Sequence, residues 1–168
     1  ESSDMKRKCA ALSARLATLS PDEVHSFADH YWHCRRTAYH WPLWDAASLM
    51  HGGCGDDKFM DFRSALITFG RDAFERALAD PDTLAEWPDP LPDGGDVYGA
   101  IYSVVDGVLG GQSRPSKGEL SQPTGTSIED ANEDYETAAR EHFPRLAARY
   151  LSKQPKVDSP ARPWWKFW

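Results

Sequence analysis

A chain of 168 residues, 40% apolar and 27% charged, is long enough to bury one self-supporting core and too apolar to stay unfolded. Its net charge of -7 argues against general phosphate-backbone binding, so no nucleic-acid partner is expected. No apolar run approaches the roughly 20 residues of a membrane helix and no signal-peptide pattern opens the chain, so no membrane partner is expected either. Three cysteines, Cys9, Cys34 and Cys54, are odd in number and lack CxxC spacing, which points to reduced thiols in a cytoplasmic protein.

From Met5 to Leu19 the apolar positions Met5, Cys9, Leu12, Leu16 and Leu19 advance by four, three, four and three, which predicts one face of a helix. Ser20, Pro21 and Glu23 supply an N-cap, a first-turn proline and a capping-box acid, with Leu19 placed to staple over Val24. A second helix begins there. Its inward face is read as Val24, Phe27, Tyr31, Cys34 and Ala38, and Pro42 disfavours helical geometry at Trp41, so the helix should end near Tyr39 or His40. Pro42 then opens a short third helix carrying Leu43, Ala46, Ala47 and Met50 inward, ended by Gly52 and Gly53.

Asp56 or Asp57 is expected to cap a fourth helix, whose Phe59, Phe62, Leu66 and Phe69 repeat at three or four, before Gly70 permits a left-handed exit. A further helix or turn carries Phe74, Ala77 and Leu78 until Asp80 and Pro81 break it. A short helical piece runs through Leu84 and Trp87. Residues 88–96, PDPLPDGGD, read as a loop, after which Asp96 can cap a helix holding Val97, Ile101, Val104 or Val105, and Val108, with a strand as the rival because the residues are β-branched.

Residues 110–126 form a polar stretch longer than compact domains usually leave without function or mobility. Ser127 with Asp130 is a capping-box pattern, Tyr135, Ala138 and Ala139 continue a helix, and Pro144 kinks or restarts it ahead of Leu146, Ala147, Tyr150 and Leu151. The expected organisation is an all-α, compact multi-helix single domain over residues 1–151, a proline-bearing linker over 152–163 and an aromatic segment, WWKFW, over 164–168.

Residues 16–31, LATLSPDEVHSFADHY, and 39–84, from YHWPLWDAASLMHGGCGDD to RALADPDTL, carry a resemblance. Over about residues 16–87, and more weakly at FPRLAARY near the end (128–151), the chain resembles the small bacterial family of domain of unknown function 4240. The signature lies in the tryptophan, the GGC and the acidic pair ahead of the aromatic helix. The resemblance implies a compact, mainly helical domain and supplies no activity. Members of that family commonly begin with a further aromatic-rich helix, and this sequence opens at Glu1 without Met, so a missing N-terminal helix is an expectation. The WWKFW segment lies outside the resemblance.

His51, Cys54, Asp56 and Asp57 admit two readings. A thiolate at a helix N-terminus beside an imidazole suits a nucleophile or a metal site; glycine turns, a small buried cysteine and capping aspartates explain the same residues without a ligand, and that reading is preferred. His30, His33 and Cys34, with His25 one turn earlier and His40 beyond, are weak metal candidates that no HExxH or CxxC pattern completes. Neither GxxxxGK[ST] nor GxGxxG is present, so no cofactor is expected and no catalytic residue is assigned. Trp41, Trp44 and Trp87 are expected as core or groove walls, and a groove among them is where a bound peptide belongs.

Trp164, Trp165, Lys166, Phe167 and Trp168 carry the functional expectation. Four aromatic rings beyond a linker seek burial. They suit a latch onto the domain or a second copy, giving a homodimer, or a docking motif for a protein partner. They also suit a substrate carried by the domain, since such segments resemble the cores of ribosomally made peptides whose rings are oxidatively cross-linked. The expected function is a non-catalytic binding module, the precursor-like carrier being the alternative and a metal- or Cys-dependent enzyme a distant one.

Overall fold

A computed structural model describes residues 2–87, 94–110, 120–130 and 134–151, with side chains from residue 6 onward. Among the described residues the fold is all α. Eight α-helices and two short 3-10 helices follow one another, and the only β-type pairing there is a single bridge between His40 and Thr124.

Helix α1 spans Ser2–Leu16 and α2 spans Pro21–Thr37. Between them the expected capping box is complete: the Ser20 hydroxyl accepts the Glu23 N–H, and the Glu23 carboxylate accepts the Ser20 N–H at 2.9 Å. The buried stripe of α2 is Val24, Ala28, Tyr31, Arg35 and Ala38. This corrects the expected stripe: Phe27 and Cys34 are half-buried flanks, because the face is centred on a fully buried arginine that apolar periodicity does not register.

Helix α3, Trp41–His51, starts one residue before Pro42 and ends on Gly52, whose φ of 64° supplies the left-handed exit that a side chain would resist. Helix α4 is Asp56–Ile67. Its N-cap is Gly55, which corrects the expectation that Asp56 or Asp57 caps it; both aspartates instead stand in the first turn, where the helix dipole favours negative charge. Helix α5, Arg71–Ala79, leads to a 3-10 helix over Pro81–Glu86, capped by Asp80.

Helix α6, Gly95–Leu109, settles the rivalry at the β-branched run in favour of a helix, with Val97, Ile101 and Val105 at intervals of four on its buried side. Gly94, not Asp96, is its N-cap. A Cβ on Gly94 would sit 1.8 Å from the Asp61 carbonyl oxygen, so this glycine is required by the close approach to α4. Helix α7 is Tyr135–His142, capped by Asp134, and α8 restarts at Pro144 and runs to Tyr150. The Ser127 capping box does not form. Ser127 is buried against α3 and leads into the second 3-10 helix, Ile128–Asp130.

The helices close around two apolar clusters. The larger gathers α3, α4, α5, the first 3-10 helix, α7 and α8 around Leu43, Leu49, Phe59, Leu66, Leu84 and Leu146, each contributing about 1.5–3 kcal/mol by leaving water. The smaller joins α2 and α6 through Val24, Ala28, Tyr31, Val97, Ile101 and Val105, with Cys9 and Leu12 of α1 packed against it. Between them the Tyr31 hydroxyl donates to Ser64 at 3.1 Å, and Arg63 donates to the Arg35 carbonyl at 3.0 Å. The two guanidinium groups lie on aromatic faces, Arg35 against Trp32 and Tyr98, Arg63 against Tyr39 and Phe59, which places charge in the interior with its flat faces covered.

Candidate functional site

The histidine and cysteine candidates are not assembled into one centre. His30 and His33 are exposed on α2, and Cys34 is half-buried with its thiol raised by burial. His51 meets Phe62 edge-on, while burial pushes the Cys54 thiol up to about 12 against the weaker pull of Lys58. That runs against the activated-thiolate reading of Cys54, since desolvation outweighs the helix N-terminus beside it. Among the described residues no group of three or more His, Cys, Asp or Glu side chains is placed to hold a metal ion.

Of the three tryptophans expected as core or groove walls, Trp44 and Trp87 are core. Trp44 is buried in a stack, 4.6 Å from Phe59 and 5.2 Å from Trp41 between ring centres, and its indole N–H donates to the Cys54 carbonyl. Trp87 packs on Phe69 at 4.3 Å and is also buried. Only Trp41 is half-buried, at the edge of the core. Residues 164–168 lie outside the described residues.

A concavity lies one step from Trp41. It is a shallow cup of about 370 Å³ lined by Thr37, His40, Pro42, Leu78, Thr124 and Gly125. Local chemistry builds each wall. Thr37 ends α2 with its hydroxyl turned back to the His33 carbonyl at 2.9 Å, so that this polar group is already bonded within the helix. His40 is the N-cap of α3, and its Nδ1 accepts the Leu43 N–H at 3.3 Å. Nδ1 is thereby the acceptor and Nε2 carries the proton, while burial holds the imidazole pKa below its usual value. The ring is neutral at physiological pH and keeps one donor.

The remaining wall comes from far along the chain. Trp41 N–H donates to the Thr124 carbonyl at 2.8 Å, and Thr124 N–H donates to the Tyr39 carbonyl at 3.1 Å, so the segment after residue 120 pairs with the α2–α3 junction. Gly125, at φ 80°, passes so near Pro42 that a Cβ would be 3.3 Å from its ring. Three residues on, Asp45 takes hold: its carboxylate accepts the Ser127 hydroxyl at 2.8 Å and the Ile128 N–H at 2.9 Å, at 4% exposure.

Acid gathers at this anchor. Burial raises Asp45 to about 6 despite those two hydrogen bonds, while Glu129 beside it, exposed at the surface, is raised above the usual carboxylate range by partial desolvation and by repulsion from Asp45 and Asp130. Tyr135 is pushed up by burial and then by Glu129 and Asp45, while His142 acts in the opposite sense on Asp45. Sequence reading named His40 only beside weak metal candidates and as a helix end, and missed Asp45, Thr124 and Gly125. The one local signal was His40 directly ahead of WP, the place of a helix cap; the rest depends on pairings 80 residues or more apart.

The structure therefore defines an all-α domain with a small apolar cup and a buried carboxylate anchor behind it. No helix among the described residues is long and apolar enough to cross a membrane. The chain belongs to the family described as Protein of unknown function (DUF4240), whose family model matches residues 1–105. Thr37, His40, Pro42, Leu78 and Asp45 fall inside the matched region, and Thr124, Gly125 and Ser127 beyond it. No curated protein and no solved structure matches the chain.

Proposed function

We propose that this protein is a non-catalytic, cytoplasmic binding module whose cup receives an aromatic side chain of a peptide, with the chain's own WWKFW segment, residues 164–168, as the occupant, from the same copy or a second one. The cup carries this reading. Its walls offer a proline ring, a leucine and two threonines around one imidazole donor, a combination suited to a ring flanked by a peptide carbonyl. Four aromatic rings in five residues supply the matching chemistry, and the 17 residues from 152 to 168 span at most about 60 Å when extended, ample to return to the domain. The raised thiols of Cys9, Cys34 and Cys54 support a non-catalytic reading, since thiolate is scarce at neutral pH.

The test compares the full chain with a full-length variant in which Trp164, Trp165, Phe167 and Trp168 are alanine. Adding a synthetic RPWWKFW peptide to the variant should move the amide resonances of Thr124 and Gly125 and the ring resonances of His40, and Leu78→Glu should weaken that binding tenfold or more. Peptide that moves none of these resonances sinks the reading. The composition of residues 164–168 also supports a carrier whose aromatic segment is modified by a partner enzyme; co-expression with candidate oxidases should then lower the intact mass by two hydrogens per cross-link.

A further inference from the structure

We propose that the peptide docks by strand addition: its extended backbone pairs with the outer edge of residues 123–125, accepting from the Gly125 N–H and donating to the Pro123 carbonyl, while alternate side chains turn into the cup. Strand addition here rests on the cup being a peptide site, and specifies how the peptide is held.

The edge follows from a single bridge. Thr124 pairs in parallel with His40: its N–H donates to the Tyr39 carbonyl at 3.1 Å and its carbonyl accepts the Trp41 N–H at 2.8 Å, so both backbone polar groups of Thr124 face the α2–α3 junction. A planar trans peptide holds its C=O and N–H in opposite directions. The Gly125 N–H, opposite the Thr124 carbonyl, therefore points away from the junction, and so does the Pro123 carbonyl, opposite the Thr124 N–H. Neither has a hydrogen-bond partner among the described residues. Thr124 and Gly125 are exposed and both line the cup, so the unpaired edge borders it. Such an edge is a template for a further strand, in which main-chain bonds give affinity and pockets for alternate side chains give specificity.

The edge is also short. Pro123 has no N–H to offer and Gly125 leaves extended geometry at φ 80°, so pairing stops after one donor and one acceptor. That footprint suits a segment of a few residues such as 164–168. Strand alternation divides WWKFW into Trp164, Lys166 and Trp168 on one face and Trp165 and Phe167 on the other. The lining of the cup holds no carboxylate to receive an ammonium group, so the face without the lysine, Trp165 and Phe167, turns inward. Charge agrees with this occupant. Residues 152–168 carry Lys153, Lys156, Arg162 and Lys166 against Asp158 alone, in a chain of net charge -7, and exposed Glu129 and Asp130 stand shortly after Gly125.

Backbone N-methylation tests this, because only alternate amides of an added strand face its neighbour. In the full-length variant with alanine at Trp164, Trp165, Phe167 and Trp168, two RPWWKFW peptides are compared with the unmodified one, N-methylated either at Trp165 and Phe167 or at Trp164 and Lys166. One of the two should bind at least tenfold more weakly and the other within threefold of the unmodified peptide. Equal binding by both overturns strand addition, and leaves the cup reading standing if Leu78→Glu still weakens the unmodified peptide. No binding of the unmodified peptide refutes the cup reading and strand addition with it. Amide exchange then identifies the occupant: protection of Gly125 should be at least tenfold higher in the native full chain than in the alanine variant. Protection that appears only on adding peptide overturns the assignment of residues 164–168 and gives the edge to a peptide of another protein.

Discussion

Asp82 caps a helix that begins more than sixty residues later: its carboxylate accepts the N–H groups of Leu146 at 2.9 Å and Arg145 at 3.1 Å. The same carboxylate takes the Arg145 Nε, and Arg145 reaches on to Glu86 and Asp80, while Arg149 donates to the Ala85 and Trp87 carbonyls. Helix α8 opens on Pro144 and has no cap from its own neighbours, so its orphan amides are satisfied from the 3-10 helix instead.

Asp82→Ala should therefore cost about 2–4 kcal/mol, the loss of charge-assisted bonds plus the buried Leu146 amide left unpaired. Urea unfolding of the variant measures this directly. Glu86→Gln, at a half-exposed ion pair, should change the midpoint far less, and equal effects would mean that the surface network and not the cap holds α8.

Stability should decline as pH rises, the reverse of a protein held by salt-bridged acids. The folded Asp45 pKa is raised from 3.8 to about 6, so the folded state binds the extra proton between these values. That stability is fully present below about pH 4 and lost as pH passes through about 6, on the order of 2–3 kcal/mol for this side chain. Denaturant titrations at pH 4 and pH 8 check it, and Asp45→Asn should remove most of the difference.

Three glycines of α6 and its cap separate two meanings of glycine. Gly94→Ala drives a Cβ into the α4 backbone and should cost about 3 kcal/mol or prevent folding. Gly99 and Gly107 have open space at the Cβ position, and alanine at either should stabilise the monomer by roughly 0.5–1 kcal/mol. Thermal melts of the three variants suffice. A destabilising Gly99→Ala would show that another surface packs against α6.

Alkylation should rank the cysteines. Cys54, buried and pushed up to about 12, should resist iodoacetamide at pH 8 until the chain unfolds, while half-buried Cys9 and Cys34 react first. Peptide mapping after short exposures decides this, and early labelling at Cys54 contradicts its placement.

Helix positions were legible wherever the signal is local. Ser20, Pro21 and Glu23 announce α2, Gly52 marks an exit, and Pro144 restarts α8, because caps and turns are decided by neighbours within four residues. Gly70, expected as the left-handed exit of α4, is instead the N-cap of α5, and Thr68 ends α4. Arg35 and Arg63 were not legible, since a cation reads as surface until aromatic faces cover it from other helices. The cup and its anchor failed for the same reason. Ser127 followed by Asp130 looks like the cap of a longer helix, yet its hydroxyl accepts only the Glu129 N–H of a short 3-10 helix and donates to Asp45, 82 positions earlier. Asp56 and Asp57 show the milder error, a correct helix start with the wrong residue in the capping position.

The division of the core into two clusters has a consequence for how the molecule comes apart. The smaller cluster joins α2 to α6, segments more than 70 positions apart, through six buried side chains, three of them valine and one an alanine, with Cys9 and Leu12 of α1 packed against it. Closing so long a span is opposed by chain entropy, and the cluster has less apolar surface with which to offset it than the larger one. Helix α1 packs chiefly on α6 and loses its main support when α6 lifts. Partial unfolding should thus proceed by shedding α1 and α6 together as one sub-global unit, with the cup, the stacked tryptophans and the Asp82 cap still intact on what remains.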